Sequence, residues 1–146
     1  MTYLRDVIER VSRQFLKNGS FFLQPGESIN DAVIRERVPN EFGVYLIYDR
    51  NRTSRPIDIG KAGTMRTDGT WKNQGLRGRL TAIQKHKRRV EYFRELMCDT
   101  CTGGLEFRWF VTHDGEKGRL PALVEMELLQ AHVDEFRRLP DNNECA

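Results

Sequence analysis

The sequence pattern predicts a small α+β domain: a three-stranded antiparallel sheet flanked by helices, with a helical extension at its N-terminus. Three observations lead there. Two β-branched and aromatic runs, residues 43–48 and 57–59, flank the polar turn 50–56 and read as a hairpin. A third run, residues 105–111, alternates so that Leu105, Phe107, Trp109 and Val111 share one face. Between and after these strands the apolar spacing lengthens to about 3.6, giving the order hairpin, helix, strand, helix.

The elements follow in order. Val7, Ile8, Val11, Phe15 and Leu16 carry a helical period that Asn18-Gly19 is expected to stop as a left-handed cap. A turn at Pro25-Gly26 precedes a short helix over residues 28–37, capped by Ser28 or Asn30 and ended by Pro39. These residues, 1–40, form the extension, and 41–146 the main domain. After the hairpin, residues 60–75 are rich in Gly, Thr, Asp and Asn and read as a long loop of the kind that carries function. Leu76, Leu80 and Ile83 restart a helix that continues, with a break, to about Met97. Pro121 suits the first turn of a last helix, about 121–136, expected to bury Ala122, Met126, Leu129, Val133 and Phe136.

Composition narrows the function. The chain has 146 residues, 38% hydrophobic and 31% charged, which suits one core and not two. No apolar run approaches the ~18 residues of a spanning helix, and residues 1–16 mix charge with apolar side chains unlike a signal segment. The expectation is a soluble cytoplasmic protein with no membrane partner. Three cysteines, Cys98, Cys101 and Cys145, make no disulfide framework, and the lone Cys98-x-x-Cys101 pair, without a second paired spacing from His86, His113 or His132, reads as ordinary reduced thiols. Net charge is +3, yet residues 50–94 hold thirteen Lys/Arg against Asp58, Asp68 and Glu91, so that segment carries +10 and the remainder −7. Such asymmetry attracts a polyanion, because Lys and Arg displace counterions from phosphates.

The motifs Gly43-Val-Tyr45 and Asp58-Ile-Gly60-Lys61 stand on the two arms of the hairpin. With Gly75-Leu-Arg-Gly-Arg79, Leu123-Val-Glu125-Met-Glu-Leu-Leu129 and Leu139-Pro-Asp-Asn-Asn143, they resemble the GIY-YIG endonucleases over about residues 42–143. The resemblance implies a divalent-metal-dependent phosphodiester hydrolase acting on nucleic acid, DNA ahead of RNA by family analogy, with Mg²⁺ or Mn²⁺ as cofactor. It assigns the catalytic positions to Tyr45, Asp58, Lys61, Arg79, Glu125 and Asn143, with Glu125 the metal ligand. Arg66, Lys72, Arg77, Lys85, Lys87 and Arg88 are then candidates for flanking phosphates, or else a solvated surface. Arg89 reads with that same group.

The chemistry suits the residue types. Phosphodiester hydrolysis needs a base near the attacking water, positive charge for the equatorial oxygens and a cation for the departing oxygen. One carboxylate with water and substrate oxygens suffices for Mg²⁺. With Ala122 at zero and ~100° per residue, Glu125 falls at about 300°, beside the apolar stripe, and Glu127 at about 140°, away from it. With Leu76 at zero, Arg79 likewise falls at about 300° and Arg77 at about 100°.

One position departs from the family: Asp58 stands where a second tyrosine is expected. Three readings follow. Asp58 takes a proton from the water, adds a metal ligand or pairs with Lys61; Tyr45 becomes the base beside Lys61; or the domain binds nucleic acid and cuts poorly. An unrelated α+β interaction domain with a basic face is the remaining alternative. The sequence sets no oligomeric state and no target.

Overall fold

The computed structural model describes residues 3–84 and 87–144; Lys85, His86 and Cys145 lie outside them. The fold is α+β. Its elements in chain order are α1 (Leu4–Gln14), β1 (Asn18–Leu23), α2 (Ile29–Arg35), β2 (Phe42–Asp49), β3 (Asp58–Ala62), β4 (Thr64–Met65), β5 (Trp71–Lys72), α3 (Leu76–Thr81), β6 (Ile83–Gln84), β7 (Lys87–Arg88), α4 (Arg89–Asp99), β8 (Leu105–His113) and α5 (Pro121–Phe136). No helix of the described residues is long and apolar enough to cross a membrane.

The main sheet is antiparallel and runs β1-β8-β2-β3, four strands where the sequence pattern suggests three. The extra strand comes from the extension. Asn18-Gly19 does not end a helix with left-handed backbone; α1 stops at Gln14, and Asn18 opens β1. The side chain of Asn18 nonetheless caps α1, its Nδ2 donating to the Phe15 carbonyl at 2.8 Å. Gly19 lies against Trp109, where a Cβ would come within 2.6 Å of the indole. Phe21 stacks on Phe107 with ring centroids 4.8 Å apart, so β1 is anchored by an aromatic pair across the strands.

Both faces of the sheet are covered. Tyr45, Ile47, Phe107 and Trp109 point to the side of Leu76, Leu80, Phe93 and Met97 from α3 and α4. Val44, Leu46, Ile59 and Phe110 point to the other side, against Val7 and Val11 of α1 and Val124, Leu128 and Leu129 of α5. The outcome is a three-layer sandwich whose central strands are apolar on alternate and intervening positions alike. Gly43 sits at a bulge between β2 and β8; a Cβ there would fall 1.9 Å from the Phe110 carbonyl oxygen.

Two further expectations are corrected. The long loop contains the β4-β5 hairpin, in which Trp71 stacks on Phe42 at 3.9 Å. The interrupted helix is two helices separated by the β6-β7 hairpin, so Ile83 belongs to a strand and not to the α3 stripe.

The last helix has the expected bounds but a different buried face. Ala122 and Met126 are exposed, and Val124, Leu128, Leu129, Ala131 and His132 turn inward. At ~100° per residue this rotates the inward face by roughly a third of a turn from the direction of Ala122. Apolar residues on both sides of the helix, Leu120, Leu123 and Met126 among the exposed ones, made two stripes readable where one is buried. Glu125, at about 300°, falls within the observed inward arc, between His132 at about 280° and Leu129 at about 340°, and is half-buried.

His132 is fully buried, with Nδ1 2.6 Å from the Arg138 carbonyl oxygen. Its pKa is pushed down by burial. The folded protein thus keeps the imidazole neutral at a pH where the unfolded chain takes up a proton. Stability from this group is present above the unfolded pKa of ~6.5 and is lost as pH falls below it. Urea melts between pH 7.5 and 5 should show that decline, and a His132→Asn variant, which retains a donor for the Arg138 carbonyl, should show a shallower one.

Candidate active site

A cleft of about 860 Å³ runs along the outer edge of β3. It is lined by Tyr45, Asp58, Lys61, Arg79, Arg89, Glu125 and Asn143, together with residues of the 73–74 and 142–144 segments. All six positions assigned from the resemblance therefore reach one concave surface. They arrive from β2, β3, α3, α5 and the C-terminal segment.

Each arrives for a local reason. Tyr45 lies opposite Gly60 across the hairpin, and a Cβ at Gly60 would sit 2.3 Å from its hydroxyl, so glycine makes the room for the phenol. Strand alternation sends Lys61, the partner of Val44, to the opposite face, where its Nζ donates to Thr64 Oγ1 at 2.8 Å. Arg79 is placed by the start of α3, which is tied to the segment before β2: the Leu76 amide donates to the Glu41 carbonyl at 2.8 Å, and a Cβ at Gly75 would fall 2.1 Å from the Asn40 oxygen. Arg79 is half-buried and Arg77 exposed.

Asn143 acts as a substitute strand. Its Nδ2 donates to the Ile59 carbonyl at 2.8 Å and its Oδ1 accepts from the Ile59 amide at 3.0 Å. The Asn142 amide adds a bond to the Ile57 carbonyl at 2.8 Å. These contacts satisfy the outer edge of β3 and hold the C-terminal segment beside the cleft. Asn143 braces the site through the backbone.

Glu125 is half-buried, and no cation or hydrogen-bond donor of the described residues lies within bonding distance of its carboxylate. Burial pushes its pKa up, Lys61 and Arg79 pull it down, and Asp58 pushes it up again. Glu127 faces away and pairs with Arg10 at 2.9 Å and Arg119 at 3.8 Å. No group of three or more His, Cys, Asp or Glu converges among the described residues. A lone oxygen ligand of this kind fits Mg²⁺ or Mn²⁺ held chiefly by water and substrate oxygens, and does not fit a closed zinc cage.

The residue that sequence reasoning misplaced is Arg89. It is not on the surface: its exposure is 1%, the lowest of any arginine, and Nη2 donates to the Tyr45 hydroxyl at 2.8 Å. Nη1 lies 3.9 Å from Asp58 Oδ2, with Asp58 itself only 5% exposed. Among the described residues, Nε and Nη1 have no hydrogen-bond acceptor. The signal was in the sequence, since Arg89, Phe93 and Met97 follow at i, i+4 and i+8 on the buried stripe of α4.

This cluster answers which cation attends Tyr45. It is Arg89 and not Lys61. The phenol's pKa is nevertheless raised, because burial outweighs the guanidinium. Tyr45 is thus protonated at neutral pH, accepts from Arg89 and has its own proton to donate.

Of the flanking basic residues, Arg66, Lys72 and Arg77 are exposed, whereas Lys87 and Arg88 pair with Glu95 and Glu91. Lys85 falls outside the described residues. Cys98 is exposed and Cys101 buried, both as free thiols.

In comparisons with known proteins, no family model, no curated protein and no solved structure matches the chain. The site is read from its own geometry.

Removing the guanidinium from the buried cluster should be costly. Arg89→Leu is expected to destabilise the fold by about 3–5 kcal/mol, and Tyr45→Phe by about 1–3 kcal/mol, through a buried donor left without its acceptor. Urea denaturation of both variants checks the order, which a surface location for Arg89 would invert.

Proposed function

We propose that the protein is a divalent-metal-dependent endonuclease that hydrolyses phosphodiester bonds in DNA, acting in the cytoplasm. The observation that supports this best is the meeting of Glu125, Lys61, Arg79 and the Tyr45–Arg89–Asp58 cluster in one cleft. A carboxylate without a described cation faces two cations and a phenol donor there, which suits a ligand bearing both negative charge and a metal ion.

Each side chain then has a task. Glu125 holds the cation. Bound Mg²⁺ or Mn²⁺ supplies Lewis-acid stabilisation of the departing oxygen. Arg79 and Lys61 place positive charge against the non-bridging oxygens, where charge grows in the transition state. Tyr45 donates a hydrogen bond to a phosphate oxygen, its orientation set by Arg89. Asp58, kept beside that guanidinium, accepts the hydrogen bond of the attacking water. A carboxylate is a weaker base than a tyrosinate, so turnover should be slower than with a tyrosine at this position.

The same observation favours a second reading, a nucleic-acid-binding module on this fold with weakened cleavage. Asp58 lies by Arg89 where a base would be needed, and the only tyrosine of the cleft has a raised pKa.

Plasmid, branched and single-stranded DNA incubated with the protein in Mg²⁺ or Mn²⁺ separate the two. Cleavage should vanish in Glu125→Ala and fall by roughly 10²–10³-fold in Arg79→Ala, the scale for losing one transition-state donor. Wild-type rates in Glu125→Ala would sink the nuclease reading, and salt-sensitive binding without cleavage would leave the binding module.

A further inference from the structure

Asp141 is shared by three arginines. Its Oδ1 accepts from Arg138 at 2.8 Å and lies 3.5 Å from an Arg55 nitrogen, and its Oδ2 lies 3.2 Å from an Arg52 nitrogen. One carboxylate among three guanidiniums leaves +2 at that point. Elsewhere among the described residues, Glu127 takes two arginines, whereas Lys87–Glu95 and Arg88–Glu91 are one to one.

The arginines are held in place from three directions. Arg52 leaves the turn after β2 and its amide bonds the Asp49 carbonyl at 2.9 Å. Arg55 lies over the Phe136 ring at 5.7 Å and is only 21% exposed. Arg138 follows the left-handed residue that ends α5, and its carbonyl meets buried His132. Like charges gathered this closely repel, and a further anion relieves them.

The cluster also borders the cleft. Asp141 immediately precedes Asn142 and Asn143, which bond the outer edge of β3, and Arg55 precedes Asp58 by three residues. From Asp58 to Lys61, β3 extends about 10 Å at ~3.3 Å per residue. A nucleic-acid strand laid along that edge runs between the Asp58 and Lys61 ends of β3 and reaches the arginines at one end, with exposed Arg66 and Lys72 on the hairpin after β3 at the other.

We propose that Arg52, Arg55 and Arg138, gathered by Asp141, form a phosphate-binding site that seats the nucleic-acid backbone at the Asp58 end of the cleft. This rests on the cleft being where the strand lies. Asp141 marks the anion position: its carboxylate receives the guanidiniums in the free protein, and backbone phosphates engage their outward N–H groups when the strand is bound.

Binding of fluorescent 20-nucleotide single-stranded and 20-base-pair DNA, measured by anisotropy in EDTA from 50 to 200 mM salt, tests it. Arg52→Gln/Arg138→Gln should weaken binding and lower the slope of log affinity against log salt by roughly one unit per arginine. Arg35→Gln, which breaks an exposed pair with Glu27 on α2, should leave that slope unchanged. Asp141→Asn keeps all three guanidiniums and should tighten binding, which preserves the test if the double variant does not fold. A wild-type slope in the folded double variant, or weaker binding by Asp141→Asn, overturns the site while leaving the cleavage reading in place. Absence of wild-type DNA binding overturns both, and tighter binding of polyaspartate than of DNA overturns the site in favour of an acidic protein partner.

Discussion

A guanidinium with almost no exposure must be accommodated by everything around it, and Arg89 sets that requirement for this molecule. The Tyr45 hydroxyl accepts its Nη2–H, Asp58 stands across from Nη1, and Phe93 flanks its plane at 5.2 Å. Burying a positive charge is unfavourable unless hydrogen bonds and an opposite charge come with it. The tyrosine rotamer, the acid at the start of β3 and the glycine opposite Tyr45 are all explained by that need. What looks in sequence like a catalytic tyrosine beside a displaced acid is in structure one electrostatic unit spanning three elements.

That unit separates two halves of the cleft. On one face of the sheet lie Tyr45, Asp58 and Arg89, enclosed and fixed; on the other side of the same edge lie Lys61 and Glu125, half-buried and open to a ligand. Enclosure fixes the orientation of the first group and makes its phenol a weaker acid, so that it stays protonated. Partial hydration leaves the second group able to exchange water for substrate oxygens. Orientation and charge neutralisation are thus assigned to different residues, and β3 is the short element that carries both, through alternation alone.

Much of this was legible in the residues. Alternating apolar runs fixed the hairpin and the long strand, and Pro121 marked the start of α5 at its observed position. Glu125 and Arg79 were placed at or beside the buried faces by periodicity, although for α5 the stripe chosen was rotated, with Leu129 buried but Ala122 and Met126 exposed, and for α3 it included Ile83, which belongs to a hairpin. Those errors have one source. Helical projection finds an apolar direction but not which of two apolar directions is covered, and only neighbouring elements decide that. β1 was missed for a related reason: Asn18-Gly19 fits a helix cap locally, whereas the stacking of Phe21 on Phe107 that makes it a strand joins residues far apart in sequence. Arg89 was hidden by its neighbours Lys87 and Arg88, since a basic run looks uniform until its third member is seen to share a stripe with Phe93 and Met97.

The clamp that Asn143 places on Ile59 bears on how such a sheet meets other chains. A free strand edge is a template for any extended peptide, and here the β3 template is already taken at Ile57 and Ile59 by two asparagines. Growth of the sheet by strand addition is directed away from the cleft, towards β1 at the opposite edge. The main sheet is therefore polarised for assembly: its β3 edge is clamped at Ile57 and Ile59 beside the cleft, and its β1 edge lies on the far side from any ligand held there.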